Sequence, residues 1–449
     1  MGHLDRRAVL AGGIVSGGLA LATGGQAFQV DRPAETLFRQ VRVFNGRSAA
    51  VSGPADVLVR GQTIAAVGAG LTTGGRVIDG RDRTLIPGLI DIHAHLEFYN
   101  LPALEFSSAD PHYLQIRQAA AARDFLMCGF TSVRDAGGPT FGLKRAIDEG
   151  FVAGPRIWPS GAIISQTSGH GESRAINQLP SPWNRELTAH ERAGYLAVAD
   201  GVPQVLERVR EQLFQGASQI KLAIGGGVSS NFDPLDVTQF SPEEIRAAVG
   251  AAEDWGTYVM VHGYTPRAIN RAIDCGVKCI EHGQLLDEAT MRRMANEGVW
   301  LSLQPFLEDE DAIPTAPGSA NERKYRQVAE GTDRAYGLAR RLGLKVGFGT
   351  DIQLNPRGAV RQAHYLPKLL RWYGAGEALK MATHDNAALL ALSGLRSPYE
   401  GRLGVIEPGA LADLLLVNGD PVADLNLLSD PARNLAVIMK DGVLVKDAA

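Results

Sequence analysis

Apolar and polar positions divide the chain into three stretches. Between residues 36 and 87, short runs alternate apolar and polar side chains, as in Val41-Arg42-Val43-Phe44, Asp56-Val57-Leu58-Val59 and Ile64-Ala65-Ala66-Val67, with glycine and proline between them. Period-two alternation bounded by turn residues predicts short strands. The same grammar returns beyond Gly401, in 412–417, 436–439 and 442–445. Two β-rich ends around a long middle predict one small composite β-sandwich domain built from residues 31–87 and 401–449.

The middle, residues 88–400, alternates apolar strand-like runs with helical patterns. Eight strand candidates lie at 89–95, 131–135, 156–164, 219–224, 258–262, 278–282, 299–304 and 345–350. Helical periodicity covers 242–255, 266–274 and 287–296 among others; Pro242 and Pro266 suit a first helical turn and Thr265 an N-cap. Strands alternating with helices imply an α/β fold with a parallel sheet, and eight repeats imply a (β/α)8 barrel of TIM type. A doubly wound open sheet is the alternative. Two connections, 165–190 and 305–330, are long for a compact domain. Both follow candidate strands, so in a barrel both overhang its carboxyl-terminal face, either to enclose substrate or as solvated, oligomer-facing insertions.

Residues 1–30 do not read as fold. Asp5-Arg6-Arg7 precedes an apolar, glycine-rich run from Ala8 to Ala22, and small residues lead to a cleavage candidate at Ala27. That order matches a secretory signal, and the paired arginines resemble a twin-arginine signal, which predicts an exported, periplasmic protein. An uncleaved tail or anchor is the alternative. No later run is long and apolar enough to predict a membrane span. The 449 residues carry 45 Lys+Arg against 49 Asp+Glu, a net charge of -4, which offers no broad electrostatic footprint for nucleic acid. With 3 cysteines there is no disulfide framework, and Cys128, Cys275 and Cys279 read as small core residues.

The candidate chemistry sits at strand ends. His93 and His95 are two apart on one strand, so both imidazoles face one side, a spacing that suits a metal ion. His262 and His282 end neighbouring strands at equivalent positions of successive repeats, although a histidine after apolar residues is also an ordinary core residue. Asp351 ends the run 346–351; a carboxylate there costs several kcal/mol to bury unless paired or metal-bound, and a helix N-cap is its bland role. Lys221 lies inside an apolar strand, where an unpaired ammonium is unfavourable. It needs either a structural ion pair or carbamylation by CO2, which converts the amine into an anionic oxygen ligand.

These strand ends, with the run Leu85-Ile86-Pro87-Gly88-Leu89-Ile90-Asp91-Ile92-His93-Ala94-His95, the Gly349-Thr350-Asp351 turn, Ala382-Thr383 with Asn386-Ala387-Ala388, and Gly404 to Leu414, resemble the amidohydrolase superfamily across residues 36–445. The resemblance implies a distorted (β/α)8 barrel with a small β-sandwich and a binuclear site. That site holds two Zn2+, with manganese or cobalt also compatible. His93, His95 and Asp351 would hold one ion, His262 and His282 the other, with carbamylated Lys221 and a hydroxide bridging them and Asp351 shuttling the proton. Ile164 to Gly171 and His262-Gly263-Tyr264 are similar to the prolidase-type, imidazolonepropionase-related branch, which includes Xaa-Pro dipeptidases and ochratoxin-degrading amidohydrolases. The resemblance implies that His170 and Tyr264 bind a substrate carboxylate; a loop hydrogen bond and a helix cap are their ordinary alternatives. The expected enzyme is therefore a metal-dependent amide hydrolase acting on dipeptides, N-acyl amino acids or aryl amides of phenylalanine, and a homo-oligomer. A mononuclear cyclic-amidine hydrolase or deaminase, a lactonase, and a non-catalytic barrel scaffold are the competing readings. His112, His190, His364 and His384 receive no catalytic role, and Arg357 reads as a surface residue.

Overall fold

The computed structural model describes residues 34–99, 101–172, 174–180, 186–358 and 360–449. The signal-like segment 1–30 lies outside the described residues. Among them, no helix is long and apolar enough to cross a membrane.

The first five strands are β1 (Glu35–Phe44), β2 (Val51–Arg60), β3 (Thr63–Gly68), β4 (Arg76–Asp79) and β5 (Arg83–Pro87). The middle of the chain adds β6 (Leu89–Ala94), β7 (Phe130–Asp135), β8 (Arg156–Pro159), β9 (Ile163–Ser165) and β10 (Leu196–Val198). It continues with β11 (Ile220–Ala223), β12 (Val259–Gly263), β13 (Cys279–His282), β14 (Trp300–Leu303) and β15 (Val346–Phe348). The chain ends with β16 (Leu414–Asn418), β17 (Leu435–Lys440) and β18 (Val443–Asp447).

The strands of the two chain ends join one eight-stranded mixed sheet: β16 lies antiparallel beside β5, pairing Leu414 with Pro87 and Leu416 with Leu85. The hydrophobic face of that sheet gathers Phe38, Val57, Ile64, Leu85, Leu414 and Val437.

The middle strands are parallel, as the alternation with helices predicts, but they do not form one closed eight-stranded ladder. They divide into a three-stranded sheet, β6-β7-β8, and a seven-stranded sheet, β10-β9-β11-β12-β13-β14-β15. The single strand expected over 156–164 is two, because Pro159 lacks an N–H and Gly161 turns the chain at φ 71°. An additional strand, β10, pairs with the second piece. The two sheets meet through isolated backbone bonds: the Ser218 N–H donates to the Pro159 carbonyl and the Asp351 N–H to the His93 carbonyl, each at 2.8 Å.

Strand alternation sorts the side chains into two layers. Ile220, Leu222, Val259, Val261, Ile280 and Leu301 face the surrounding helices and are 0–1% exposed. Burial of such a side chain contributes about 1.5–3 kcal/mol each. Tyr258, Met260, Cys279 and Trp300 face the interior with Ile90 and Ile92. The helices start where their caps dictate. Ser241 accepts from the Glu244 N–H while the Glu244 carboxylate accepts from the Ser241 N–H, opening the helix Pro242–Asp254. Thr265 stands at the N-cap of Pro266–Asp274 without a side-chain cap bond. The long connection expected over 305–330 ends early: Ser319 caps a 23-residue helix, Ala320–Leu342, which stops at the left-handed Gly343.

Candidate active site

The predicted site residues converge. His93, His95, Lys221, His262, His282, Asp351, His170 and Tyr264 all line one cavity of about 880 Å³ at the carboxyl ends of the parallel strands. His262 points inward because it shares the parity of Tyr258 and Met260, and Lys221 because Ile220 and Leu222 point outward. His282 breaks the rule: Cys279 and Glu281 already face inward, so alternation would send His282 out. Its φ of 77° turns it back, and Asp351 has a φ of 50°. Non-glycine residues in that region cost about 1–3 kcal/mol each and are held only by their surroundings. Close approach is also required where β15 ends: a Cβ on Gly349 would lie 2.6 Å from the His93 Cβ.

Asp351 Oδ1 lies 3.5 Å from His93 Nε2 and 3.3 Å from His95 Nε2. One ligand atom from each of these three buried residues fits within 4.8 Å of the others, close enough to share an ion. His282 follows, with its ring centroid 4.9 Å from that of His93, and His262 lies 4.5 Å beyond His282. Lys221 is 2% exposed and near enough for its charge to depress the basicity of His93, His262 and His282.

Each imidazole has its outer nitrogen occupied. His93 Nδ1 bonds the Glu281 carboxylate at 2.7 Å, His95 Nδ1 the Gly137 carbonyl at 3.2 Å, and His282 Nδ1 the Gln304 side-chain oxygen at 2.8 Å. His262 uses Nε2, on the Gly226 carbonyl at 3.1 Å. With an acceptor on one nitrogen, the proton sits there and the other nitrogen turns its lone pair to the cavity, the arrangement of metal-bound histidines. Burial lowers His93 to about 4 and holds His262 and His282 well below their ordinary value, so the rings are neutral at pH 7. Burial raises the Asp351 carboxyl, but the facing imidazoles outweigh it and hold it well below the usual carboxylate range. Burial also lowers the Lys221 ammonium, opposed by Glu281 and Asp351. The donor set is thus four imidazoles, one carboxylate and one amine of weakened basicity, which fits divalent cations of borderline softness.

Two supports were not singled out from the sequence. Glu281 is fully buried and joins His93 to Arg134, whose Nη2 donates to Glu281 Oε1 at 2.7 Å. Arg134 also donates to the Tyr258 hydroxyl and the Ile92 carbonyl. Asp91 accepts from the Thr350 hydroxyl at 2.6 Å and from the His93 and Thr350 N–H groups, fixing the strand ends that carry His93 and Asp351; burial lifts its carboxyl to about 7. Only periodicity marks these positions, as polar residues on inward-facing strand parity.

At the far side of His262, the His170 ring stacks on it at 4.0 Å with 10° between planes, and Tyr264 lies 5.2 Å from both His262 and His282. His170 Nδ1 bonds Asp233 at 3.0 Å and the Ser230 hydroxyl at 2.6 Å, so Asp233 and Ser230 hold the ring. The two long connections reach the cavity through Arg174, Ile176, Phe306 and Ile313. His190, given no role from the sequence, lines it as well. Arg357 does not line it.

The amidohydrolase family model matches residues 84–445. The ochratoxinase of Aspergillus niger is 30% identical over 389 residues, 81% of this chain and 75% of that protein. The crystal structure of a prolidase complexed with N-methylphosphonate-L-proline superposes with a TM-score of 0.84 at 34% identity, over 92% of this chain and 100% of that one. A Xaa-Pro dipeptidase with bound methionine in its active site gives 0.80 at 28% identity, again over 92% and 100%. With a donor cluster at the strand ends and these likenesses across nearly the whole described chain, the protein belongs to the amidohydrolase family and is a hydrolase.

Proposed function

We propose that the enzyme hydrolyses amide bonds of substrates that carry a free carboxylate next to the scissile amide, using two divalent ions. His93, His95 and Asp351 would hold one ion and His262 and His282 the other. Lys221, carbamylated on Nζ, would supply an anionic oxygen ligand to both. Two divalent ions, zinc first among them, supply Lewis-acid polarisation of the carbonyl and a water of lowered pKa. Asp351 takes a proton from the attacking water as the C–O bond forms and returns it to the amine nitrogen as the C–N bond breaks. His170 and Tyr264 bind the carboxylate of the leaving amino acid and so orient the amide. Glu281 and Asp91 keep the ligand strands in place without touching substrate.

The observation that carries this reading is the cluster of outward-bonded, inward-facing imidazoles around Asp351 with buried Lys221 beside them. Likeness to ochratoxinase and to prolidase structures supports an amide or peptide bond as the target. The test is metal analysis with a substrate panel of Xaa-Pro and Xaa-Phe dipeptides and N-acyl amino acids. About two zinc per chain, loss of turnover on chelation, and loss of metal or turnover in Lys221→Ala are expected. Full metal content and full turnover in Lys221→Ala would refute the carbamate bridge, and one metal with deaminase turnover would refute the binuclear amidase. We further propose that the chain is exported to the periplasm on a twin-arginine-type signal in 1–30 and assembles as a homo-oligomer. Unchanged export after deletion of residues 1–30 refutes the first, and a monomer in sedimentation refutes the second.

A further inference from the structure

The segment between β11 and the helix Pro242–Asp254 serves two of the candidate site residues at once. Its stem is closed by the Gln239 N–H, which donates to the Ile224 carbonyl at 2.7 Å. The Gly226 carbonyl holds His262 Nε2 at 3.1 Å. Asp233 Oδ2 holds His170 Nδ1 at 3.0 Å and also accepts from the Ser230 hydroxyl and the Gly227 N–H, each at 2.7 Å. The turn is closely packed: a Cβ on Gly226 would lie 2.0 Å from the Pro234 carbonyl oxygen. The helix Ala320–Leu342 clasps this turn. Lys324 Nζ donates to the Gly227 carbonyl at 2.9 Å and to the Ser230 carbonyl at 2.8 Å, and lies 3.7 Å from Asp233 Oδ1. That oxygen is buried and takes no hydrogen bond among the described residues, so it meets Lys324 through charge alone. Asn321, on the same helix, donates to the Asn231 side-chain oxygen at 3.0 Å. Lys324 itself does not line the cavity.

Resting on the amide-hydrolase reading above, we propose that Lys324 is a positioning residue: it clamps the turn 227–230 and so sets His170 and His262 together without touching substrate. An ammonium on two carbonyls makes charge-assisted bonds, roughly twice as strong as neutral ones. The Lys324 side chain is 12% exposed, so salt and water screen these bonds little. Methionine in its place leaves both carbonyls without that donor and Asp233 without the facing charge. Gly227 carries Lys324 on its carbonyl and Asp233 on its N–H, and Gly226 precedes it. A shift of this one residue therefore reaches both imidazoles. His170 moves with Asp233, and His262 loses the fixed acceptor that selects its tautomer and aims its other nitrogen.

The test uses the full chain and two readouts. At saturating zinc, Lys324→Met should raise KM about fivefold or more for N-acetyl-L-phenylalanine and less than twofold for its amide, with kcat changed less than twofold. In metal-free protein, zinc titration against a competing chelator should show one ion bound about threefold more weakly or worse. On a His170→Ala background the same substitution should add less than about twofold to KM yet keep its effect on zinc, because one effect runs through His170 and the other through His262. A residue that only stabilises the fold would add its penalty in both backgrounds. Lys324→Gln keeps a neutral donor, guards against misfolding of the methionine variant, and moves both readouts the same way by smaller factors. Unchanged KM or unchanged zinc affinity in both variants overturns the proposal, as does the full KM penalty on the His170→Ala background. If the wild type hydrolyses no compound of the panel, the amide-hydrolase reading has failed. Calorimetric binding of N-acetyl-L-phenylalanine then replaces KM: affinity lowered about fivefold or more in Lys324→Met supports the positioning role, and equal or absent binding rejects it.

Discussion

Replacing Glu281 with glutamine tests how the site is held. The carboxylate is fully buried and takes two bonds of 2.7 Å, one from Arg134 Nη2 and one from His93 Nδ1. The amide keeps the shape but removes the only carboxylate that Arg134 pairs with among the described residues. Breaking a buried ion pair on one side costs about 3–5 kcal/mol, because the remaining charge stays buried. For roughly 400 residues unfolding together, at about 2 cal/mol/K per residue, that lowers the melting temperature by about 4–6 °C. The second effect falls on the proposed metal site: weakening the partner of a ligating histidine costs about 10–100-fold in affinity. The assay is thermal unfolding of the metal-free protein alongside zinc titration with a competing chelator. A second variant separates the effects. Arg134→Met/Glu281→Gln removes both charges, so it should recover part of the stability while leaving the metal affinity low. Wild-type melting and wild-type zinc affinity in Glu281→Gln would refute the reasoning. Recovery of zinc affinity in the double variant would show that Arg134, rather than the His93 bond, governs the metal.

Three further outcomes follow from particular contacts. His170→Ala should raise KM about tenfold or more for substrates with a free carboxylate and spare their amidated counterparts, and equal loss on both would argue that His170 does not read the carboxylate. Gly227→Ala would place a Cβ 2.0 Å from His170 Cε1, so steady-state kinetics should show the same rise in KM at a near wild-type melting temperature; an unchanged KM would mean that the ring position is unimportant. Burial raises the Asp311 carboxyl, but Arg361 and Lys368, the latter at 2.8 Å, outweigh it and hold the group below its ordinary value. A depressed folded value means stability that is present above the unfolded value of about 3.9 and is lost as pH falls through the folded one. The stability gap between wild type and Asp311→Asn should therefore stay constant from about pH 7 to 5 and close on further acidification, and a gap that persists at about pH 2 would contradict this.

Much of the site was legible in the chain because period-two geometry is local. His93 and His95 share a face by spacing alone, and His262 and Lys221 follow the parity of their own strands. Supports such as Glu281, Arg134 and Asp233 were not legible, since a polar residue on inward parity does not announce its partner 147 or 63 positions away. His190 was read as a bystander because nothing near it in sequence indicates that the short helix Ala189–Arg192 comes back to Phe106.

The sequence by itself determined the alternation of parallel strands and helices, the β-rich ends and the candidate ligand residues at successive strand ends, because hydrophobic periodicity and turn chemistry act over a few residues. Tertiary structure alone decided the split of the parallel strands into two sheets at Pro159 and Gly161 and the left-handed backbone that turns His282 inward. These depend on which distant segments compete for the same space and hydrogen bonds, and only the assembled chain settles that competition.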